Sequence, residues 1–199
     1  APDPAAGEEL PKVIPDESVS RWVIDRFAGN SGAGPLFLQG PATQSAGLGV
    51  PNVAPASDGS VFISGGLDCK WAPNRIMRVS PEGTLRLVAG GGPSLADGPA
   101  GMALVRAESL KYNEADKSVY FVHRTIPCVR RLYQKEGQWF VETVAGDTAR
   151  GGAADGAARD ARFAEPRSLV ITSKGIIYVL DGTSVIRKIE KGEVSTLAR

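Results

Sequence analysis

Short runs of apolar and β-branched residues alternate with turn residues along most of the chain. The clearest set lies in the last part of the sequence, where residues 163–172, 176–180, 185–189 and 194–198 have the composition of β-strands. Glycine-containing turns separate these runs. The pattern therefore predicts four antiparallel strands joined by tight turns.

The same order of strands and turns occurs three times. The units cover about residues 48–90, 104–146 and 163–199, and their period of roughly 50–60 residues is typical of propellers and solenoids. A barrel or a two-sheet sandwich built from hairpins is the structural alternative. We predict an all-β fold of three four-stranded propeller blades, because stacking such units buries the apolar faces of their sheets.

The third unit resembles an NHL repeat. Residues 151–163 contain the Ala-Asp-Gly and Ala-x-Phe pattern of that family, and Pro166, residues 178–181 (Tyr-Val-Leu-Asp) and residues 186–189 (Ile-Arg-Lys-Ile) continue it. The second unit keeps Ala-Asp-Gly at residues 96–98. The resemblance implies a β-propeller of the NHL type from about Val23 onward.

At the position of Asp181, the second unit has His123 and the first has Gly65. The family includes RNA-binding modules, peptide-amidating lyases and antibiotic-inactivating lyases, so the resemblance says little about activity. The amidating lyases hold metal with several histidines, whereas this chain has a single histidine.

Three blades do not close a ring, since propellers typically have four to eight. Residues 21–29 resemble the fourth strands and lack partner strands before them, so we expect a closing strand there, after a flexible segment at residues 1–20. We therefore expect half of a six-bladed ring, completed by a second polypeptide or a C-terminal remainder. A homodimer and a partly open arc are the alternatives.

Ligand sites of propellers lie on the face formed by the loops between strands two and three and between blades. The sequence places four candidate ligand-binding residues there: Asp68, His123, Arg124 and Asp181. His123 could move a proton or bind metal, and Arg124 could orient an anion. For His123 the alternative is a hydrogen bond to a neighbour, and for Asp181 it is acceptance of backbone N–H groups.

Two other sets of residues recur between units. Cys69 and Cys128 lie in matching loops and could form a disulfide in a secreted protein, although two free thiols are the alternative. Arg75, Arg130 and Arg187 occupy what look like matching places in the third strands, which indicates a structural ion pair or hydrogen bond in each blade.

Composition and charge narrow the function. The formal net charge is +1, which does not favour nucleic acid as a partner, and no apolar run is long enough to span a bilayer. No cofactor is identified, and Ca²⁺ or Zn²⁺ would need ligands from outside this chain. The sequence favours a non-catalytic ligand- or protein-binding propeller, secreted or periplasmic. The alternative is part of a lyase- or hydrolase-like enzyme whose catalytic residues lie largely in further blades.

Overall fold

The computed structural model of the chain describes residues 39–42, 49–66, 75–123 and 125–198. Within these ranges the structure is all-β and consists of three five-stranded antiparallel sheets. The predicted flexible segment at residues 1–20 and the predicted closing strand at residues 21–29 lie outside the described residues.

Each sheet is one blade built from consecutive strands. The first blade contains β1 (Gln39–Pro41), β2 (Gly49–Pro55), β3 (Val61–Gly66), β4 (Arg75–Val79) and β5 (Thr84–Gly90). The second contains β6 (Gly98–Pro99), β7 (Ala107–Asn113), β8 (Ser118–His123), β9 (Cys128–Lys135) and β10 (Gln138–Gly146). The third contains β11 (Gly156–Ala157), β12 (Pro166–Ile171), β13 (Ile177–Asp181), β14 (Val185–Glu190) and β15 (Glu193–Ala198).

Each blade has the four predicted strands and one additional short strand, which the prediction missed. In every sheet the segment that precedes the blade adds a strand beyond the fourth one, so β1 pairs with β5, β6 with β10 and β11 with β15. In the second and third blades this strand begins with the glycine of the Ala-Asp-Gly motif. The motif pairs because its aspartate accepts hydrogen bonds from the strand beside it, as for Asp97 and the backbone N–H of Thr143 at 2.7 Å.

Two apolar clusters hold the blades face to face. The first joins the first and second sheets, and Phe62 stacks on Tyr112 across it with ring centroids 5.6 Å apart. The second joins the second and third sheets around the buried Phe163. A hydrogen bond between the two sheets supports it, since the backbone N–H of Leu169 donates to the side-chain Oγ of Ser109 at 3.3 Å. Each sheet therefore buries a face against its neighbour, as a repeat array requires.

Gly146, at the end of β10, shows how closely the connection to the third blade packs. A Cβ atom there would lie 2.5 Å from the Pro127 carbonyl oxygen and 3.0 Å from the Phe163 ring. Gly137, in the turn before β10, has a similar φ (79° against 88°), but a Cβ there would contact nothing within 4 Å. A side chain at Gly137 would therefore meet backbone strain alone, whereas a side chain at Gly146 would meet both backbone strain and a steric clash.

We expect Gly137→Ala to lower the free energy of unfolding by about 1–2 kcal/mol, because only the left-handed backbone is strained. Gly146→Ala should cost about 1–3 kcal/mol more, because the added methyl group also overpacks a buried connection. Urea unfolding of both variants measures the difference. Equal losses would show that the connection from β10 to the third blade can relax.

Candidate functional site

The candidate site lies where the second and third strands of a blade meet the segment that connects two blades. The strand register identifies the equivalent residues of the three blades: Met77 pairs with Leu87, Arg130 with Thr143, and Arg187 with Thr196. Arg75 pairs with Gly90 instead, as Cys128 pairs with Gly146. The prediction that Arg75 matches Arg130 and Arg187 was therefore wrong, because the strand register puts Met77 there.

In the third blade this position forms a polar network in which both terminal nitrogens of the arginine are paired. Arg187 is buried, and its Nη1 donates to Asp181 Oδ2 at 3.3 Å and to the Arg162 carbonyl oxygen at 2.9 Å. Its Nη2 donates to Asp155 Oδ1 at 2.7 Å and to the Ala154 carbonyl oxygen at 2.8 Å. The guanidinium group thus joins strand β14 to the connecting segment.

The two aspartates of this network also bind the backbone. Asp181 accepts the N–H groups of Glu165 at 2.7 Å and Ala164 at 3.1 Å, as predicted for its structural role. Asp155 accepts the N–H of Thr196 at 2.9 Å. Burial disfavours the ionised form of Asp155, but hydrogen bonds from Thr196 and the charge of Arg187 outweigh it and lower its pKa.

In the second blade the same network is incomplete. Arg130 is fully buried, and its Nη2 donates to the Ala96 carbonyl oxygen at 3.0 Å and approaches Asp97 Oδ1 at 3.4 Å. Among the described residues, its Nη1 has no hydrogen-bond partner. Two acceptors found in the third blade are missing here: His123 replaces the carboxylate equivalent to Asp181, and no carbonyl group of the described connecting segment accepts from Nη1 as that of Arg162 does from Arg187.

His123 is fully buried and cannot supply the missing acceptor. Its Nε2 accepts the Arg106 N–H at 3.4 Å, which corresponds to the bond between Glu165 and Asp181 in the third blade. A neutral imidazole whose Nε2 accepts must carry its proton on Nδ1, and Nδ1 has no partner in the part of the chain that the structure describes. Burial, together with the charges of Arg130 and Arg106, lowers the pKa of His123 to about 3, so the ring is neutral at physiological pH.

In the first blade the residues at the same position are uncharged. Met77 stands in place of the arginine, Leu87 in place of the threonine and Gly65 in place of His123 or Asp181. Met77 is fully buried in an apolar cluster with Ile63, and Leu87 packs against that cluster. The three blades thus show a complete ion network, an incomplete one and an apolar core at one structural position.

Cys128 begins β9 next to this site. It is a free, buried thiol, so the predicted disulfide with Cys69 is not observed, and Cys69 itself lies outside the described residues. Burial raises the pKa of Cys128 to about 12, which keeps the thiol protonated and unreactive.

Of the four predicted ligand-binding residues, Arg124 and Asp68 lie outside the described residues. His123 and Asp181 occupy equivalent positions in adjacent blades and are not brought together. Sequence reasoning noted Arg130 only as a recurring residue and missed its unpaired nitrogen. The signal that could have found it is the histidine at an aspartate position of the repeat.

Within the described ranges, no three His, Cys, Asp or Glu side chains are grouped so as to hold a metal ion. No helix of this part of the chain has the length and hydropathy needed to cross a membrane.

No family model matches the chain, and no curated protein does so. A structural-genomics protein of unknown function from Bacteroides thetaiotaomicron VPI-5482 is similar in structure, with a TM-score of 0.55 and 19% identity over 73% of this chain and 34% of that one. An auxiliary nutrient binding protein from the same organism has a TM-score of 0.53 and 15% identity over 73% of this chain and 35% of that one.

A streptogramin B lyase structure gives a TM-score of 0.42 and 14% identity over 75% of this chain and 56% of that one, a likeness too distant to support an argument. This chain spans about a third of the length of the two Bacteroides proteins, at 34% and 35%. At these identities the similarity is one of fold: three all-β blades that match part of larger propeller-type chains.

The unpaired Nη1 of Arg130 leads to a stability prediction for His123→Asp. An aspartate should restore the acceptor found in the third blade, whereas His123→Asn has the same size without the charge. We expect the Asp variant to exceed the Asn variant in free energy of unfolding by about 1.5–3 kcal/mol, the usual contribution of a hydrogen bond to a charged group. Urea unfolding at pH 7.5 measures this. Equal stabilities would mean that a carboxylate is no better an acceptor for Arg130 than the amide oxygen of Asn, and the prediction would be wrong.

The lowered pKa of His123 leads to a pH prediction. The unfolded ring binds a proton below its ordinary pKa of 6.5, whereas the folded ring stays neutral until about pH 3. Stability should therefore fall as the pH drops below 6.5, by at most about 1.4 kcal/mol per pH unit. Between pH 7 and 5.5 Asp97 and Asp155 remain ionised, because burial raises the pKa of each carboxyl group less than its hydrogen bonds and arginine neighbours lower it. His123→Gln, which keeps an acceptor but does not titrate, should lose this slope in urea unfolding; an unchanged slope would place the titration elsewhere.

Proposed function

We propose that this chain is part of a non-catalytic NHL-type β-propeller, secreted or periplasmic, that binds a ligand or a protein partner and is completed by further blades. The observation that carries this proposal is an exposed face of the third sheet. It is the face that points away from the second blade, and we call it the open face. The fold likeness to an auxiliary nutrient binding protein agrees with a binding role. The buried structural contacts of His123 and Asp181 favour binding over catalysis for this part of the ring.

A comparison of equivalent positions in the three sheets shows that the open face lacks a covering blade. In the second sheet, Val122, Val129 and Ala145 are paired neighbours and are fully buried against the third blade. The corresponding residues of the first sheet, Ser64, Ile76 and Ala89, are also buried. In the third sheet the corresponding residues are Leu180, Ile186 and Ala198, and none of them is fully buried.

The open face is apolar and extends beyond this row of three. Val170 and Leu197 are 52% and 54% exposed, although both lie within strands. Ser168, which is equivalent to Ser109, is exposed. Because Ser109 accepts the N–H of Leu169 from the next blade, Ser168 is placed to accept the same bond from a following blade. The occupant that fits this face is therefore a further blade of the same repeat, supplied by a second polypeptide or a longer form of this one.

Hydroxyl-radical footprinting of the protein in its native assembly tests this proposal. Val170 and Leu197 should react in the isolated 199-residue chain and be several-fold less reactive in the assembly, because the incoming blade covers them. Met102, which is 60% exposed on the connection between the first two blades, is the internal control and should react equally in both.

Native mass spectrometry of the same assembly identifies the occupant. The expected result is a particle heavier than the 20.9 kDa chain that contains additional repeat sequence. A lone 20.9 kDa monomer from the native source would overturn the proposal. A particle of twice the chain mass with the same protected residues would assign the face to a second copy and overturn the choice of occupant.

A further inference from the structure

The second blade holds hydrogen-bond donors in its interior without an acceptor for them. The repeat places His123 and Arg130 as it places Asp181 and Arg187, whose side chains are 3.3 Å apart. In the second blade both equivalent groups are donors: Nη1 of the guanidinium and the protonated Nδ1 of the imidazole, each without a partner among the described residues. The Nε of Arg130 is also unpaired, but so is that of Arg187, so the difference between the blades lies at Nη1 and the imidazole.

Charge at this position favours a negative group. In the third blade Arg187 pairs with two carboxylates, Asp155 and Asp181. Among the described residues, Asp97 is the one carboxylate paired with Arg130, and it also pairs with Arg159 at 2.9 Å. In the second blade one carboxylate therefore pairs with two guanidinium groups. In the third blade two carboxylates pair with one guanidinium group.

The surroundings of His123 add to the positive potential. The charges of Arg130 and Arg106 both disfavour protonation of its ring. The Phe121 ring packs at a centroid distance of 5.6 Å and supplies no acceptor. A buried guanidinium without full pairing is costly, and a bound anion removes that cost.

The geometry points to a binding site for one small carboxylate-type monoanion between Arg130 Nη1 and His123 Nδ1, where it takes the role that the Asp181 side chain has in the third blade. One carboxylate oxygen accepts from the guanidinium and the imidazole, as Asp181 Oδ2 accepts from Arg187 and a backbone N–H. Because Nη1 and Nδ1 are buried, the ligand must be small, and formate is the matching probe. This inference does not depend on further blades.

Urea unfolding of the full chain in increasing formate tests the site, with ionic strength held constant by gluconate, which is too large to enter. A ligand that binds only the folded state raises the ratio of folded to unfolded protein by about tenfold at ten times its Kd. The wild type should show a gain that follows this dependence on formate concentration. His123→Asn, which leaves more room and the same guanidinium, should keep it.

Two variants should abolish the formate effect. His123→Asp fills the site with its own carboxylate, and Arg130→Met installs the residue that the first blade has at this position. Should Arg130→Met fail to fold, His123→Asp remains the decisive comparison. Equal formate dependence in the wild type and His123→Asp would overturn the proposal, because the stabilisation would then come from elsewhere.

The single histidine of the chain provides a direct readout. In ¹⁵N-labelled protein at pH 7.5, formate should shift the Nδ1–H resonance of His123 along a saturation curve with the Kd found from urea unfolding, and should leave it unmoved in Arg130→Met. An Nδ1–H resonance that formate does not move would show that no formate binds beside His123, and the proposal would be wrong.

Discussion

Face-to-face burial of neighbouring sheets is the constraint on which this structure depends. A sheet of four or five strands has two faces, and in this chain both carry apolar side chains. The faces between the first and second sheets and between the second and third are covered by clusters that include Phe62, Phe121, Phe163 and Leu169. Because a blade cannot cover itself, the stability of each sheet depends on the presence of the next one.

This stacking also leaves carbonyl groups between the blades that need hydrogen-bond donors, and the buried arginines supply such donors. The chain must pass from the outer strand of one blade to the inner strand of the next, and this segment is too irregular to pair all of its carbonyl groups in a ladder. Arg187 reaches two of them, at Ala154 and Arg162, from inside the third blade. Removing a guanidinium group from water is costly, so the arrangement needs the carboxylates of Asp155 and Asp181 beside it.

The repeat order, the number of blades and most strand positions could be predicted from the sequence, because they follow from local patterns of apolar and turn residues. The fifth strands could not, since a two-residue strand such as Gly98–Pro99 has no periodicity and is defined by the side chain of Asp97 accepting from Thr143. The false match of Arg75 has a similar cause. Strand register is set by long-range pairing, and the spacing of basic residues in one strand does not determine it.

The candidate site shows the same division between local and long-range information. The histidine at the aspartate position of the repeat is visible in the sequence, but its burial and the unpaired Nη1 of Arg130 appear only once the blades are packed. The first blade shows that an apolar set around Met77 fits this position, and the third shows that a full ion network does. The second blade keeps the guanidinium group and lacks one of its acceptors, an arrangement less favourable for stability than either neighbour. In native proteins such a local violation of polar pairing is expected at functional positions, where something outside the chain completes the set.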